Sequence, residues 1–284
     1  MEHQHFEIED IIRRIPDASF VVIDCEFSGI SQKSKSIRTI DDYLLALKAD
    51  VEDFAILQIG FCLGVYSQAP QGNKWLLYPY NFYTFSSEIL DSLLMNDTIK
   101  WLRSNGFSFD RWIDEGIDFR RLADVRYEDP CEHPSKASRP IKGHGKFQRK
   151  NGIHHIIEEL IEQKKPLVFH NGMLDILHIY DKFIGKLPES SVEISKELVR
   201  LFRGGIFDTK FFARYLHENF GYNKLRNTTL PTLHSALNGF HNMKELTDIP
   251  EERAHFNYID KETGNINEKF FHEAGFDATI AAMV

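Results

Sequence analysis

The segment Phe20–Phe27, FVVIDCEF, constrains this chain most. Its β-branched and aromatic residues, stopped by Ser28-Gly29, predict a buried strand. Asp24 and Glu26 interrupt it. Residues i and i+2 of a strand share a face, so both carboxylates point the same way. Burying two unpaired acids in an apolar strand is costly. A metal ion offsets that cost, because Mg²⁺ takes carboxylate oxygens. A strand end whose two acids face solvent is the competing reading of Asp-x-Glu by itself. Cys25 lies on the opposite face and reads as a small buried hydrophobe, not a nucleophile.

The rest of the chain predicts an α/β fold around a mixed sheet. Helical spacing covers 6–15 and 39–48, and strand-like runs cover 54–66 and 75–85, with SQAPQGN as a turn between them. A helix near 86–104 follows. Residues 126–152 are rich in Pro, Gly and charge and read as a linker or insertion site. Beyond them, helices (153–163, 173–183, 210–218, 231–237) alternate with short strands (167–170, 205–207), a pattern that suggests one α/β domain over 1–284. A last helix, 276–284, is still apolar where the chain stops, which predicts that the sequence is a piece of a longer one.

Charge and cysteine content narrow the function classes. Asp plus Glu is 42 against 34 Lys plus Arg, a formal charge of −8. A nucleic-acid role therefore rests on local patches or on metal ions, not on bulk charge. No apolar run approaches the ~20 residues of a membrane span, and the N-terminus lacks a signal-peptide core. Three cysteines, with no CxxC pair, predict an intracellular protein of the cytoplasm or nucleus.

Two further acids and a histidine join Asp24 and Glu26. Asp175 lies in LVFHNGMLDILH, one turn into a helix that follows a strand, a common position for sites in α/β sheets. His272 and Asp277, in HEAGFD, are five residues apart. On one helix they would diverge by about 140°. If Gly275 delays the helix, His272 sits on the entering loop and both can face one cleft. Four carboxylates can hold two divalent ions about 4 Å apart for in-line displacement at phosphorus. A neutral histidine can accept a proton from water.

In this order, Asp-x-Glu, Asp and His-x4-Asp resemble the DEDDh 3′→5′ exonucleases. The surrounding segments IDCEFSGI, FAILQIGFC, FHNGMLDILH, IFDTK, NTTL and FHEAGFDA are similar to those of poly(A)-specific ribonuclease (PARN) and its PARN-like relatives. The resemblance runs from about Phe20 to Val284. It implies an RNase H-like fold and a metal-dependent exoribonuclease acting on single-stranded RNA 3′ ends and releasing 5′-monophosphates. Asp24, Glu26, Asp175 and Asp277 would hold two Mg²⁺, with Mn²⁺ the alternative ion, and His272 would be the general base. Phe27, Ser28, Gly29 and Ile30 match the segment that handles the terminal nucleotide, and Lys210 matches a phosphate contact.

Against the PARN pattern, KFQRK (146–150) runs almost directly into the helix expected at Ile153, which predicts no accessory domain between them, and no RNA-recognition domain is expected within the residues up to Val284. That puts cap binding and strong poly(A) preference in doubt. It suggests a compact trimmer of poly(A) tails or small regulatory RNA precursors, with small-RNA pathway proteins as partners. PARN dimerises, which leaves a homodimer open. A non-catalytic RNA-binding module and a DNA 3′ exonuclease are the rival readings.

Other residues carry weaker signals. Lys142, His144, Lys146, Arg149 and Lys150 form a basic cluster that reads equally as an RNA-tracking loop or a solvated one. Lys33, Lys35 and Arg38 follow the first acidic strand closely enough to favour phosphate contact. Lys224 and Arg226 read as plain surface. Asp208 reads as an N-cap and His178 as a core histidine. Most of the 23 phenylalanines belong to the core, with one or two available to stack on bases.

Overall fold

The computed structural model describes residues 2–30, 38–69, 72–86, 94–119, 152–238, 246–260, 262–263 and 265–284. Strand β1 is Phe20–Phe27, as the residue pattern predicts. It lies inside a mixed sheet between β2 (Ile56–Ala69) and β5 (Leu167–Phe169). β1, β2 and β3 (Gly72–Ser86) form an antiparallel meander. β5 and β6 (Ile206–Asp208) extend the sheet in parallel. The short strands β4 (Ile117–Phe119) and β7 (Thr247–Asp248) both pair with β3.

The two faces of β1 have different fates. Val21, Ile23, Cys25 and Phe27 enter the main core. That core also takes Ile8, Ile11 and Ile15 from α1 (Glu2–Arg14) and the turn after it. Ile153, Ile156, Ile157 and Leu160 join from α5 (Ile153–Glu162), an i, i+3, i+4, i+7 stripe. Val22, on the other face, packs with Phe276, Ala278 and Ile280 of the C-terminal helix, Ala274–Met283. That helix, α10, therefore covers the face that carries Asp24 and Glu26.

Several boundaries differ from the sequence expectation. SQAPQGN is mostly strand: Ser67 pairs with Lys74, Gln68 with Asn73 and Ala69 with Gly72. Cross-strand hydrogen bonding carries these polar residues into the ladder despite their turn chemistry. The helix expected near 86–104 is α3, Asn96–Ser104, and Ser86 ends β3 instead. Two helices lie outside the sequence expectation, α4 (Phe109–Glu115) and α7 (Ser191–Leu201), although Ile194, Leu198 and Leu201 of α7 follow helical spacing. α7 buries only Ile194 and Leu198, although Ser190 capping the Glu193 N–H is a legible start signal. Helix α2 is Ile40–Asp53, α6 Met173–Phe183, α8 Thr209–Phe220 and α9 Leu230–Asn238. No described helix is long and apolar enough to cross a membrane. The linker at 126–152, its basic cluster and Cys131 lie outside the described residues apart from Gly152. Lys33 and Lys35 lie outside them too.

Candidate active site

The site begins where α10 lands on the sheet. Across the β1–β2 ladder, Asp24 pairs with Gly60 and Glu26 with Gln58. A Cβ on Gly60 would overlap the carbonyl of Ala274 and the amide nitrogen of Gly275, so only glycine admits the helix this close. The first N–H groups of a helix lack partners within it. Here Gln58 Oε1 accepts from the Ala274 N–H (2.9 Å) and Asn81 Oδ1 from the Gly275 N–H (3.0 Å). Sheet side chains thus fix both the height and the start of α10.

That start puts His272 outside the helix and Asp277 in its first turn. His272 adopts a left-handed backbone (φ 69°), a conformation that costs a non-glycine residue about 1 kcal/mol or more. Its backbone N–H donates to Asp277 Oδ2 (3.0 Å). The imidazole lies edge-on to Trp101, with ring centroids 4.3 Å apart. Glu26, His272 and Asp277 each offer one potential ligand atom, and all three atoms lie within 4.8 Å of one another.

Asp175 arrives from the other side of β1. The chain leaves β5 through Asn171, in the left-handed region (φ 63°), and enters α6 at Met173. β5 pairs with β1 only at Val21 and Val22. The Cys25 N–H lies beyond that pairing and donates to Asp175 Oδ1 (2.9 Å) instead. Asp208 anchors the same corner. Its Oδ1 accepts from the Phe211 N–H as the N-cap of α8, and its Oδ2 accepts from the Gly172 N–H (2.9 Å).

The acids strain against one another. Burial pushes the Asp24 carboxyl well above its ordinary range, and Asp277, Asp175 and Glu26 push it further. Burial, then Asp277 and Asp175, do the same to Glu26. Asp175 and Asp277 are each raised to about 7, chiefly by burial. Among the described residues no lysine or arginine is ion-paired to any of the four. A cluster of oxygen donors with no counter-charge fits hard divalent cations such as Mg²⁺ and Mn²⁺. Burial lowers the His272 imidazole below its ordinary value, which favours the neutral form that can accept a proton.

The remaining expected residues are more dispersed. The Phe27 side chain is buried and stacks on His178, with centroids 4.3 Å apart. His178 is fully buried and packs as a core residue. The Ser28 hydroxyl accepts from the Ala55 N–H, and Gly29 is buried against Phe54 and Met95. Of this segment only Ile30 is exposed. Lys210 stands in the first turn of α8 beside His170, whose pKa it lowers together with burial. Arg38 is exposed just before α2. Sequence reasoning missed Gln58, Gly60, Asn81 and Trp101. Gln58 and Asn81, polar residues inside apolar strands, were the available signal.

The sequence profile described as CAF1 family ribonuclease matches residues 2–136 and 126–284. The chain belongs to that family. Among its curated relatives is the pre-piRNA 3′-exonuclease trimmer of Bombyx mori. It is 21% identical over 98% of this chain and 68% of its own length. Human poly(A)-specific ribonuclease PNLDC1 is 28% identical over 47% of this chain, and human PARN 28% over 42%. Those matches span 24% and 20% of the respective relatives. Among solved structures, S. pombe Pop2p in a Mg²⁺- and Mn²⁺-bound form superposes with a TM-score of 0.56 at 17% identity. That match covers 99% of this chain and 87% of Pop2p. The RNase domain of yeast Pop2 gives 0.55 at 13% identity, over 99% and 81%. The architecture of this CAF1 family chain is thus RNase H-like α/β.

Proposed function

We propose that this protein is a metal-dependent 3′→5′ exoribonuclease that trims single-stranded RNA and releases 5′-monophosphates. One observation carries the reading: the carboxylates of Asp24, Glu26, Asp175 and Asp277 lie close enough to raise one another's pKa, His272 stands beside Glu26 and Asp277, and among the described residues no lysine or arginine is ion-paired to them. Asp24, Glu26, Asp175 and Asp277 would hold two divalent ions. Bound there, the ions would supply the charge that favours hydroxide formation and stabilises the leaving oxygen. His272 accepts the proton of the attacking water, which its lowered pKa leaves it free to do. The His272 N–H to Asp277 bond holds the base beside the ligands. Relatives named for pre-piRNA trimming and for poly(A) support RNA 3′ ends as the substrate. We place the activity in one nuclease domain of an intracellular protein, open to homodimerisation and to small-RNA pathway partners.

The test is a 5′-labelled single-stranded RNA ending in adenosines, incubated with Mg²⁺, with EDTA, and with Asp24→Ala protein. The expected result is a ladder shortening from the 3′ end only with metal and wild-type protein. A DNA oligonucleotide of the same sequence should persist, because a 2′-hydroxyl distinguishes RNA. Intact RNA in every lane, or equal degradation of DNA, overturns the assignment.

A further inference from the structure

We infer that the exposed aromatic face of α8 is a stacking platform for the RNA immediately 5′ of the nucleotide being removed. This rests on the exonuclease reading above. α8 has twelve residues but buries only Ala213. Its outer face and the strand before it carry Phe207, Phe211, Phe212, Tyr215 and Phe220. Phe211 is 63% exposed, Tyr215 47% and Phe220 64%. Phe211 and Tyr215, one turn apart, are nearly parallel (22°) with centroids separated by 6.4 Å. Phe207 and Phe212 are parallel within 21° at 6.3 Å. A soluble chain gains nothing from a row of rings left in water. A single strand does gain from it, because every base has a face that stacks on an aromatic ring.

Charge and position favour RNA over an apolar partner. Residues 203–226 hold five Lys and Arg against two Asp and Glu, a basic island in a chain of net charge −8. Lys210 and Arg214 stand one turn apart beside the Phe211–Tyr215 row, Arg214 in an exposed ion pair with Glu218 one turn further on, so cations that can meet phosphates run alongside the rings over the first two turns. The platform begins at the site. Asp208, which caps α8 through the Phe211 N–H, also holds the Gly172 N–H at the start of the helix that carries Asp175. At about 1.5 Å per residue the helix is roughly 18 Å long. That is enough for about five nucleotides at roughly 3.4 Å each. An RNA whose 3′ end lies among the carboxylates would lay its next bases along it.

The experiment compares a dinucleotide with a twelve-nucleotide RNA in Mg²⁺, using wild type and the Phe211→Leu/Tyr215→Leu double variant. Leucine keeps apolar bulk and removes the ring, and both positions are exposed. The variant should raise KM on the long RNA by about tenfold per ring lost and change kcat/KM far less on the dinucleotide, which has one base to stack and cannot span both rings. Phe211→Trp should restore binding. In a non-cleaving Asp24→Asn background, fluorescence anisotropy of the labelled long RNA should weaken by the same factor. If wild type shortens neither RNA, the exonuclease reading fails. If wild type shortens both and the double variant matches it on both, the platform is wrong. A change in sedimentation from dimer to monomer with unchanged RNA affinity would also overturn it, and would assign the face to a second copy of this chain.

Discussion

Gly60 lies directly under Ala274, so close that a single methyl group on Gly60 would occupy the Ala274 carbonyl. Gly60 is also the cross-strand partner of Asp24. The contact that seats α10 is therefore adjacent to the first acid of the site, and it fixes the height at which Asp277 stands over β1.

Gly60→Ala should damage fold and activity together. The added methyl meets backbone, which cannot rotate away, and overpacking of this kind costs about 1–3 kcal/mol. Thermal unfolding should show the loss of stability. Activity at a temperature where the variant is fully folded should fall as well, because Asp277 is lifted from Asp24. Full activity in the folded variant would mean that the seat of α10 does not control the site. Gln58→Leu should cost a comparable amount, about 1–3 kcal/mol, by leaving the Ala274 N–H without its acceptor.

Divalent ions should stabilise the protein, and Asp175→Asn should blunt the effect. Ligands that bind only the native state raise the unfolding temperature by mass action. In EDTA, wild type at pH 8 should melt at a lower temperature than with millimolar Mg²⁺. Identical melting with and without the ion would remove the metal-ligand assignment.

The metal-free protein should lose stability as pH rises. The Asp175 and Asp277 carboxyls sit at about 7 in the fold, above the ordinary aspartate value of about 3.9. The folded state therefore holds protons that the unfolded chain releases. Their contribution is fully present below about pH 4 and is lost as pH rises through about 7. In EDTA, the difference in melting temperature between wild type and Asp277→Asn should favour the variant more at pH 8 than at pH 5. A difference independent of pH would contradict the raised carboxyl. Saturating Mg²⁺ should flatten the trend, because the ion replaces the protons.

His272→Ala should lower kcat by about 10²–10⁴-fold, the range for a lost general base, while leaving Mg²⁺-induced stabilisation in place. At saturating metal the acid limb of the wild-type profile should lie below pH 6.5, since burial lowers the imidazole. Equal loss of metal stabilisation and turnover in His272→Ala would make His272 a ligand instead.

Much of this architecture is determined locally. β-branched residues make Phe20–Phe27 a strand, and its period of two puts Asp24 and Glu26 on one face whatever surrounds it. His272 and Asp277 are five residues apart, a spacing that brings both to one cleft only if the helix starts after His272, and α10 does start there, at Ala274, one residue before the glycine expected to delay it. Asp175 follows a strand-to-turn sequence that opens a helix at Met173. Even the cap at Asp208 is readable in the chain, because the carboxylate bonds a backbone N–H three residues on.

Only the tertiary structure decided what those local pieces meet. Gln58 and Ala274 are 216 residues apart, and no local propensity encodes that the side chain of one caps the helix begun by the other. The Cys25 N–H turns to Asp175 because β5 stops short beside β1. Phe27 is buried because it shares the core face of Cys25, but Ser28, which a period of two would return to the face of Asp24 and Glu26, is buried as well, beyond the point where the β1–β2 register shifts. The rings of α8 look like core by composition and remain exposed because no other element among the described residues covers that face. Spacing specifies which side chains share a face; only the packed chain specifies what lies opposite it, because burial depends on partners distant in sequence.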